Sequence, residues 1–259
     1  MLNYGCEGLT AVISGGTSGI GLACAEKLLR DGARVYLLGR SAEKGLQAED
    51  GLQRLTGRRP VYIGCNVAEE ESCRQAAGLL RENLAACGAG ERIHILINSA
   101  GVYEEKRLEN ITAEDFERIM GTNVRGTMLL TKACLPMMYA GAGIVNIASD
   151  AGLGGNYGCP LYCASKGAVV ALTRALALDL APAIRVNCVC PADVDTPLLQ
   201  KQLKDCGGSY TMADMAGSYP LGRIGRAEEI AHAVCSVASP AASFMTGSII
   251  AADGGLTAG

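Results

Sequence analysis

An α/β fold, doubly wound around a parallel sheet of about seven strands with helices on both faces, is predicted by three observations. Strand-like and helix-like patterns alternate along the chain. The strand-like runs are apolar almost throughout, without the in–out alternation of a sheet that wets one face. The first run enters a glycine-rich turn that opens a helix, Ser14-Gly15-Gly16-Thr17-Ser18-Gly19-Ile20-Gly21.

The elements follow in order. Residues 9–13 form the first strand, and a helix follows with Leu22, Ala25, Leu28 and Leu29 on one face, stopping at Asp31-Gly32. Strands are expected at 34–38, 61–65 and 93–97, separated by helices over 42–55 and 69–86. Thr112 begins a helix as an N-cap. That helix runs to about Met120, bends near Gly121 and resumes toward Tyr139. A fifth strand spans 144–148, a long helix 160–180 and a sixth strand 184–190. Two helical stretches between 197 and 238 precede a last strand at 248–252. There is no repeat, low-complexity tract or linker, so residues 1–259 read as one domain.

Hydrophobic residues make up 49% of the chain, enough for one large core, but aromatics only 4%, so that core is built from Ala, Val, Ile, Leu and Met. A formal net charge of −3 gives no basic footprint for nucleic acid. No run of about 20 apolar residues predicts a membrane span, and the N-terminus resembles no signal peptide. Twelve cysteines raise the question of disulfides or metal. None is spaced C-x-x-C, Cys188 and Cys190 are expected to face opposite ways on a strand, and His94 and His232 are the two imidazoles. No metal site is predicted. The cysteines read as small buried residues in a reducing cytoplasm.

The chemistry concentrates between Ser149 and Lys166. Tyr162 and Lys166 are four apart, and a helix starting near Pro160 projects both from one face. Ser149 closes the fifth strand, and the glycine-rich segment after it lets its hydroxyl approach the phenol. A hydroxyl, a phenol and an ammonium then meet, a set suited to proton transfer during hydride exchange at a carbonyl. A free phenol titrates near pH 10; using it as a base at neutral pH requires about 4 kcal/mol of preference for the phenolate. The Lys166 cation acts in that direction, and Ser149 would hold the substrate oxygen. Taken alone, Tyr-x-x-x-Lys also fits a plain pair on a helix surface. In the turn after the first strand, Gly15 permits the sharp bend, and Gly19 lets backbone approach a pyrophosphate at a helix N-terminus.

With these motifs in place, the chain resembles the compact, single-domain branch of the short-chain dehydrogenase/reductases over nearly its whole length, which implies a Rossmann fold. The glycine loop of residues 14–21, Asn98-Ser99-Ala100-Gly101, Asn123, Ser149 thirteen residues before Tyr162, Lys166, the run from Pro191 to Pro197, and the apolar strand before Asp253-Gly254-Gly255 carry the resemblance. Ser14, Ser99 and Ala192 stand where the pattern has Thr, Asn and Gly, and none of the three removes a catalytic group.

The resemblance implies roles. Tyr162 is the general acid/base; Lys166 binds nicotinamide ribose and lowers the phenol's pKa; Ser149 orients the substrate oxygen; Asn123 holds a water that completes a proton relay. Gly15, Thr17, Ser18, Gly19 and Ile20 would hold the pyrophosphate side of the cofactor. Asn66 and Val67 would lie at its adenine, Asn98, Ala100 and Gly101 along the ribose, and Pro191, Val194 and Thr196 at the carboxamide. Gly39 occupies the position where an acidic residue would select NAD(H), and Arg40 and Ser41 follow. A guanidinium there suits a 2′-phosphate, so NADP(H) is favoured, with NAD(H) as the alternative.

Residues 197–222 are expected to form a substrate flap carrying Leu198, Leu199, Met212, Met215 and Tyr219, with Asn156 and Tyr103 also facing the site. An apolar flap points to a hydrophobic secondary alcohol or ketone such as a hydroxysteroid. The alternatives are a 3-oxoacyl thioester (acyl-carrier-protein) reductase, a sugar or polyol dehydrogenase, and, outside enzymes, an NADP(H)-sensing binding protein. The resemblance further implies a homotetramer or homodimer built on the helices at 112–138 and 160–180.

Overall fold

The structure, a computed structural model, describes residues 3–258 apart from 89, 91 and 206. Met1, Leu2, Cys206 and Gly259 of the features above lie outside the described residues. Seven parallel strands form one sheet: β1 (Thr10–Ser14), β2 (Arg34–Gly39), β3 (Val61–Gly64), β4 (Ile93–Asn98), β5 (Met138–Ile147), β6 (Ile184–Pro191) and, last in the chain, β9 (Ile249–Ala252). Their spatial order is β3-β2-β1-β4-β5-β6-β9. The chain therefore winds outward from β1 in one direction and from β4 in the other. That reversal opens a crevice at the carboxyl ends of β1 and β4.

The missing in–out alternation has a direct cause. Ala11 and Ile13 of β1 pack into one apolar cluster with Val35, Leu37, Ile95, Ile97 and Val145. Val12 between them packs into a second cluster with Tyr36, Leu38, Leu96 and Ile144 on the other face. Both faces are roofed by helices: α1 (Gly19–Arg30), α2 (Ala42–Thr56) and α9 (Ala227–Ala238) on the first, and α3 (Glu70–Ala86), α5 (Gly126–Cys134) and α6 (Pro160–Leu180) on the second. Leu96, fully buried, contributes on the order of 2 kcal/mol by leaving water, as does each side chain of its kind.

Helix ends follow local chemistry. Ser41 caps α2 by accepting from the Lys44 amide, and Gly57 ends it in a left-handed turn at φ 75°. A capping box of Thr112 and Asp115 starts α4 (Ala113–Met120). The bend expected near Gly121 is a π-turn over Gly121–Arg125 that carries α4 into α5.

Three expectations need correction. The helix after that turn stops at Cys134 and does not reach toward Tyr139; after a 3-10 turn at Leu135–Met137, β5 has already begun at Met138. Its early residues, Ala140 to Gly143, have little intrinsic strand preference, and pairing of Ala142 with Ile184 and Gly143 with Ile95 overrides it. Between 197 and 238 there are three helices, α7 (Pro197–Asp205), α8 (Met212–Ala216) and α9, and two short strands, β7 (Val194–Asp195) and β8 (Gly225–Arg226), pair in a second sheet. Two-residue strands leave no periodic signal. Finally, Cys188 and Cys190 share one face of β6, their sulfurs 3.8 Å apart, because side chains two apart in a strand point the same way.

Among the described residues, α6 alone is long and apolar enough to match a bilayer by length and composition. Its Tyr162, Lys166, Val169, Val170, Thr173 and Ala177 are buried within the fold. On β6, the buried Arg185 guanidinium donates to the carbonyls of Val237, Ala238, Ser239, Ala242 and Met245, tying the end of α9 to the sheet. Gly143 makes room for it: a Cβ there would stand 2.8 Å from Arg185 Nη2.

Candidate active site

Two cavities lie at the carboxyl edge of the sheet. The first, of about 420 Å³, is lined by Gly15, Thr17, Ser18, Gly19, Ile20, Arg40, Ser41, Asn66, Val67, Ala100, Gly101 and Thr196, all expected cofactor contacts. Gly15 has φ +66°, and a Cβ on it would stand 2.9 Å from the backbone of Ala100; the crevice between β1 and β4 closes without one. Ser18 is the N-cap of α1 yet makes no side-chain cap hydrogen bond, unlike Ser41 and Thr112 on their helices. The first turn of α1 is thus left for an anion such as a pyrophosphate. A dinucleotide's phosphates and riboses fit this donor set. Gly39 packs against Thr17, which a Cβ would meet at 3.1 Å, and Arg40 is exposed with no ion pair among the described residues.

The second cavity, of about 470 Å³, is lined by Ser149, Tyr162, Lys166, Pro191 and Val194. Ile20, Gly101, Thr196 and Leu198 line both cavities, so the two meet there. Tyr162, in the first turn of α6, is 9% exposed, and its ring meets Tyr103 edge-on at 4.8 Å between centroids. The Lys166 ammonium is 5.6 Å from the Tyr162 ring centroid and donates to the Ile147 carbonyl at 2.9 Å. Burial brings the Lys166 pKa down to about 8. Ser149 Oγ donates to Asp150 Oδ1 at 2.6 Å and accepts from the Ala151 amide at 3.2 Å.

The phenol differs from expectation. Burial pushes the Tyr162 pKa above the ordinary tyrosine value; its hydrogen bond with Ser149 pulls it down and the Asp150 charge pushes it further up. Desolvation of the phenolate is the largest of these influences.

Asn98 is also placed differently. It does not line either cavity: buried at the end of β4, it donates from Nδ2 to Asn146 Oδ1 at 2.8 Å and to Thr131 Oγ1 at 3.0 Å. Asn146 in turn donates to Thr173 Oγ1 at 2.9 Å. The side chain follows the pleat into the sheet while its successors Ala100 and Gly101 form the cleft wall. Asn123 lies in the π-turn, also behind the lining. Its Oδ1 accepts from Val102 N at 2.8 Å, and its Nδ2 donates to Val102 O and Ser165 Oγ, each at 3.0 Å. A Cβ on Gly101 would touch both Asn123 Oδ1 at 3.4 Å and Lys166 Nζ at 3.6 Å, so the two flank one backbone position.

Asn156 and Tyr103 line the second cavity as expected, with Leu198, Leu199 and Met215 of the flap. Tyr219 packs aside and donates its hydroxyl to Asp193 Oδ2 at 2.6 Å. Residues missed by the sequence reading are polar: Asp150, Asp193, Glu105, Gln202 and Tyr210 in this cavity, and Lys44 and Lys201 in the first. Asp150 follows Ser149, Asp193 sits inside the motif starting at Pro191, and Lys44 is three residues past Ser41; those positions were the available signal. Glu105 and Tyr210, joined at 2.8 Å, are brought together only by the fold.

A glycine cleft at the switch point, opening onto a phenol, an ammonium and a hydroxyl, defines a dinucleotide-dependent oxidoreductase site. A family model described as Enoyl-(Acyl carrier protein) reductase matches residues 15–257. The chain is 37% identical over 250 residues to a cyclopentanol dehydrogenase of Comamonas sp., covering 95% of this chain and 96% of that protein. It is 36% identical over 252 residues to 2-(S)-hydroxypropyl-CoM dehydrogenase 3 of Xanthobacter autotrophicus, covering 95% of each. A solved structure from Brucella melitensis, titled as a short-chain dehydrogenase/reductase, glucose/ribitol dehydrogenase, superposes with a TM-score of 0.86 at 32% identity, covering 98% of this chain and 99% of that one. The chain belongs to the short-chain dehydrogenase/reductase family.

Proposed function

We propose that this protein is an NADP(H)-preferring oxidoreductase interconverting a secondary alcohol and a ketone. The observation that carries the reading is the junction of the cavities: Ser149, Tyr162 and Lys166 open into one space that meets the glycine cleft at Ile20 and Thr196. A nicotinamide bound there supplies or accepts the hydride. Tyr162 gives its proton to the carbonyl oxygen in reduction and takes the hydroxyl proton in oxidation. Lys166 holds the ribose by hydrogen bonds and offsets charge on the phenolate. Ser149 positions the substrate oxygen, and Asn123 supports the relay behind Lys166. Arg40 and Lys44, both lining the far end of the cleft, support the phosphorylated cofactor.

Similarity to a cyclopentanol dehydrogenase and a hydroxypropyl-CoM dehydrogenase supports a secondary alcohol as substrate. The expectation of a hydroxysteroid rested on the flap. With Leu199 only 4% exposed and carboxylates in the lining, a compact polar substrate fits the cavity better. Exposed Phe116, Met128 and Leu178 on α4, α5 and α6 support a homodimer or homotetramer through those helices. The eleven cysteines among the described residues are all free thiols, which suits a reducing cytoplasm.

The test is NADPH consumption across a panel of ketones, with Tyr162→Phe alongside. The variant keeps the ring contact with Tyr103 and should lose about 10²- to 10⁴-fold in kcat while still binding NADPH. Binding without oxidation by the unaltered protein across the panel would favour the sensor reading instead.

A further inference from the structure

We propose that the natural substrate is a short amino alcohol, or the matching amino ketone, whose protonated amine pairs with Asp150 and Asp193 beside the reacting carbon; this rests on the oxidoreductase reading above. The site itself is given by Ser149, Tyr162 and Lys166, so the carboxylates identify what enters it rather than that something does.

Glu105, Asp150 and Asp193 all line this cavity, against one cation, Lys166, whose ammonium is turned to Ile147 O. None of the three carboxylates takes part in an ion pair among the described residues. Neutral donors hold them: the Ser149 hydroxyl and the Asn156 amide, at 3.0 Å, on Asp150; the Tyr219 hydroxyl on Asp193; the Tyr210 hydroxyl on Glu105. Asp150 and Asp193 line the same space; burial raises the Asp193 pKa, the Tyr219 hydrogen bond opposes that and the Asp150 charge adds to it. Glu105 is exposed, but Asp150 is buried and Asp193 half-buried; a charge left there without a counter-ion is costly, and a cation removes the cost. A sugar or other neutral polyol would fill the acceptors but leave the charge. A carboxylate, sulfonate or phosphate would add to it. Tyr103 and Tyr210 in the same lining add aromatic surface of the kind that receives ammonium groups.

The placement has a catalytic consequence. Ser149 now spends its proton on Asp150 at 2.6 Å. An ammonium on Asp150 competes with that bond and frees the Ser149 hydroxyl to donate to the substrate oxygen. An amine therefore raises kcat as well as lowering KM, and a neutral isostere does neither.

The experiment compares dimethylaminoacetone with its neutral isostere 4-methyl-2-pentanone, with hydroxyacetone and with acetoacetate, using NADPH and NADH. In parallel, calorimetry measures binding of 1-dimethylamino-2-propanol against 4-methyl-2-pentanol. The expected result is a kcat/KM and an affinity about 10- to 100-fold higher for the amine than for its isostere, the range for a hydrogen bond to a charged group. Asp150→Asn and Asp193→Asn should each shrink that ratio, and acetoacetate should be the poorest probe. An amine-to-isostere ratio near one, or a preference for hydroxyacetone, overturns the proposal. Preferential amine binding with no oxidation of either reduced cofactor by any probe would instead overturn the oxidoreductase reading and leave the cation site standing.

Discussion

Replacing Arg185 with Met should be among the most damaging single changes outside the site. The side chain is 9% exposed, and its guanidinium serves carbonyls at 3.0 Å (Val237), 3.2 Å (Ala238), 3.0 Å (Ser239), 2.9 Å (Ala242) and 3.4 Å (Met245). Carbonyls in the last turn of a helix have no partner inside it, and among the described residues no carboxylate pairs with the arginine; burial alone lowers its pKa. Net values of about 1.5–3 kcal/mol per charged hydrogen bond would sum to something comparable with the whole stability of a domain. The desolvation of the guanidinium takes back several kcal/mol. A loss of about 3–5 kcal/mol remains, or roughly 6–20 °C in Tm for a chain of this size. Urea and thermal unfolding followed by circular dichroism read it directly. Arg185→Lys, with three donors in place of five, should recover part of the loss. A shift below about 1 kcal/mol for Arg185→Met would refute the idea that this cation carries the end of α9.

Two further outcomes concern the cofactor. Arg40→Asp should weaken NADPH by about 30-fold or more, an exposed charged hydrogen bond being worth about 2 kcal/mol, and leave NADH nearly unchanged in a fluorescence titration; equal losses would remove Arg40 from the 2′-phosphate. NADPH affinity should be highest below about pH 8, where free Lys166 is an ammonium, and fall as pH rises through that value. Since burial lowers this pKa, cofactor binding that restores the cation takes up a proton above pH 8; an affinity flat from pH 7 to 9.5 would show that the ribose does not engage the charged form.

Much of the frame was legible because it rests on local chemistry. The start of α6 follows from Pro160, and the length of the helix from the Ala- and Leu-rich run after it, which placed Tyr162 and Lys166 together. The turn after β1 was legible because Gly15 and Gly19 both have positive φ. The early part of β5 was not, because alanine and glycine do not declare a strand and only pairing with β4 and β6 makes one. Most of the lining of the glycine cleft was readable, because contiguous motifs build it, but Asn98 does not belong to it and Lys44 and Lys201 do. The character of the substrate cavity was not: Glu105, Asp150, Asp193 and Tyr210 come from four separate stretches, and the flap's leucines and methionines suggested the opposite polarity. The raised Tyr162 pKa was likewise hidden, since it depends on how much protein surrounds the phenol.

The chain of buried amides and hydroxyls at Asn98, Asn146, Thr131 and Thr173 solves a problem that the two-faced sheet creates. Where both surfaces of a strand are greasy, sliding it by one residue exposes little to water, and the slip is opposed by packing alone. A peg that fits only one hole restores the penalty: with Asn98 opposite Asn146, any slip strands polar atoms among aliphatic carbons. The loops that leave β4 and β5 toward Gly101 and Ser149 thus inherit their alignment from two amides deep in the wall.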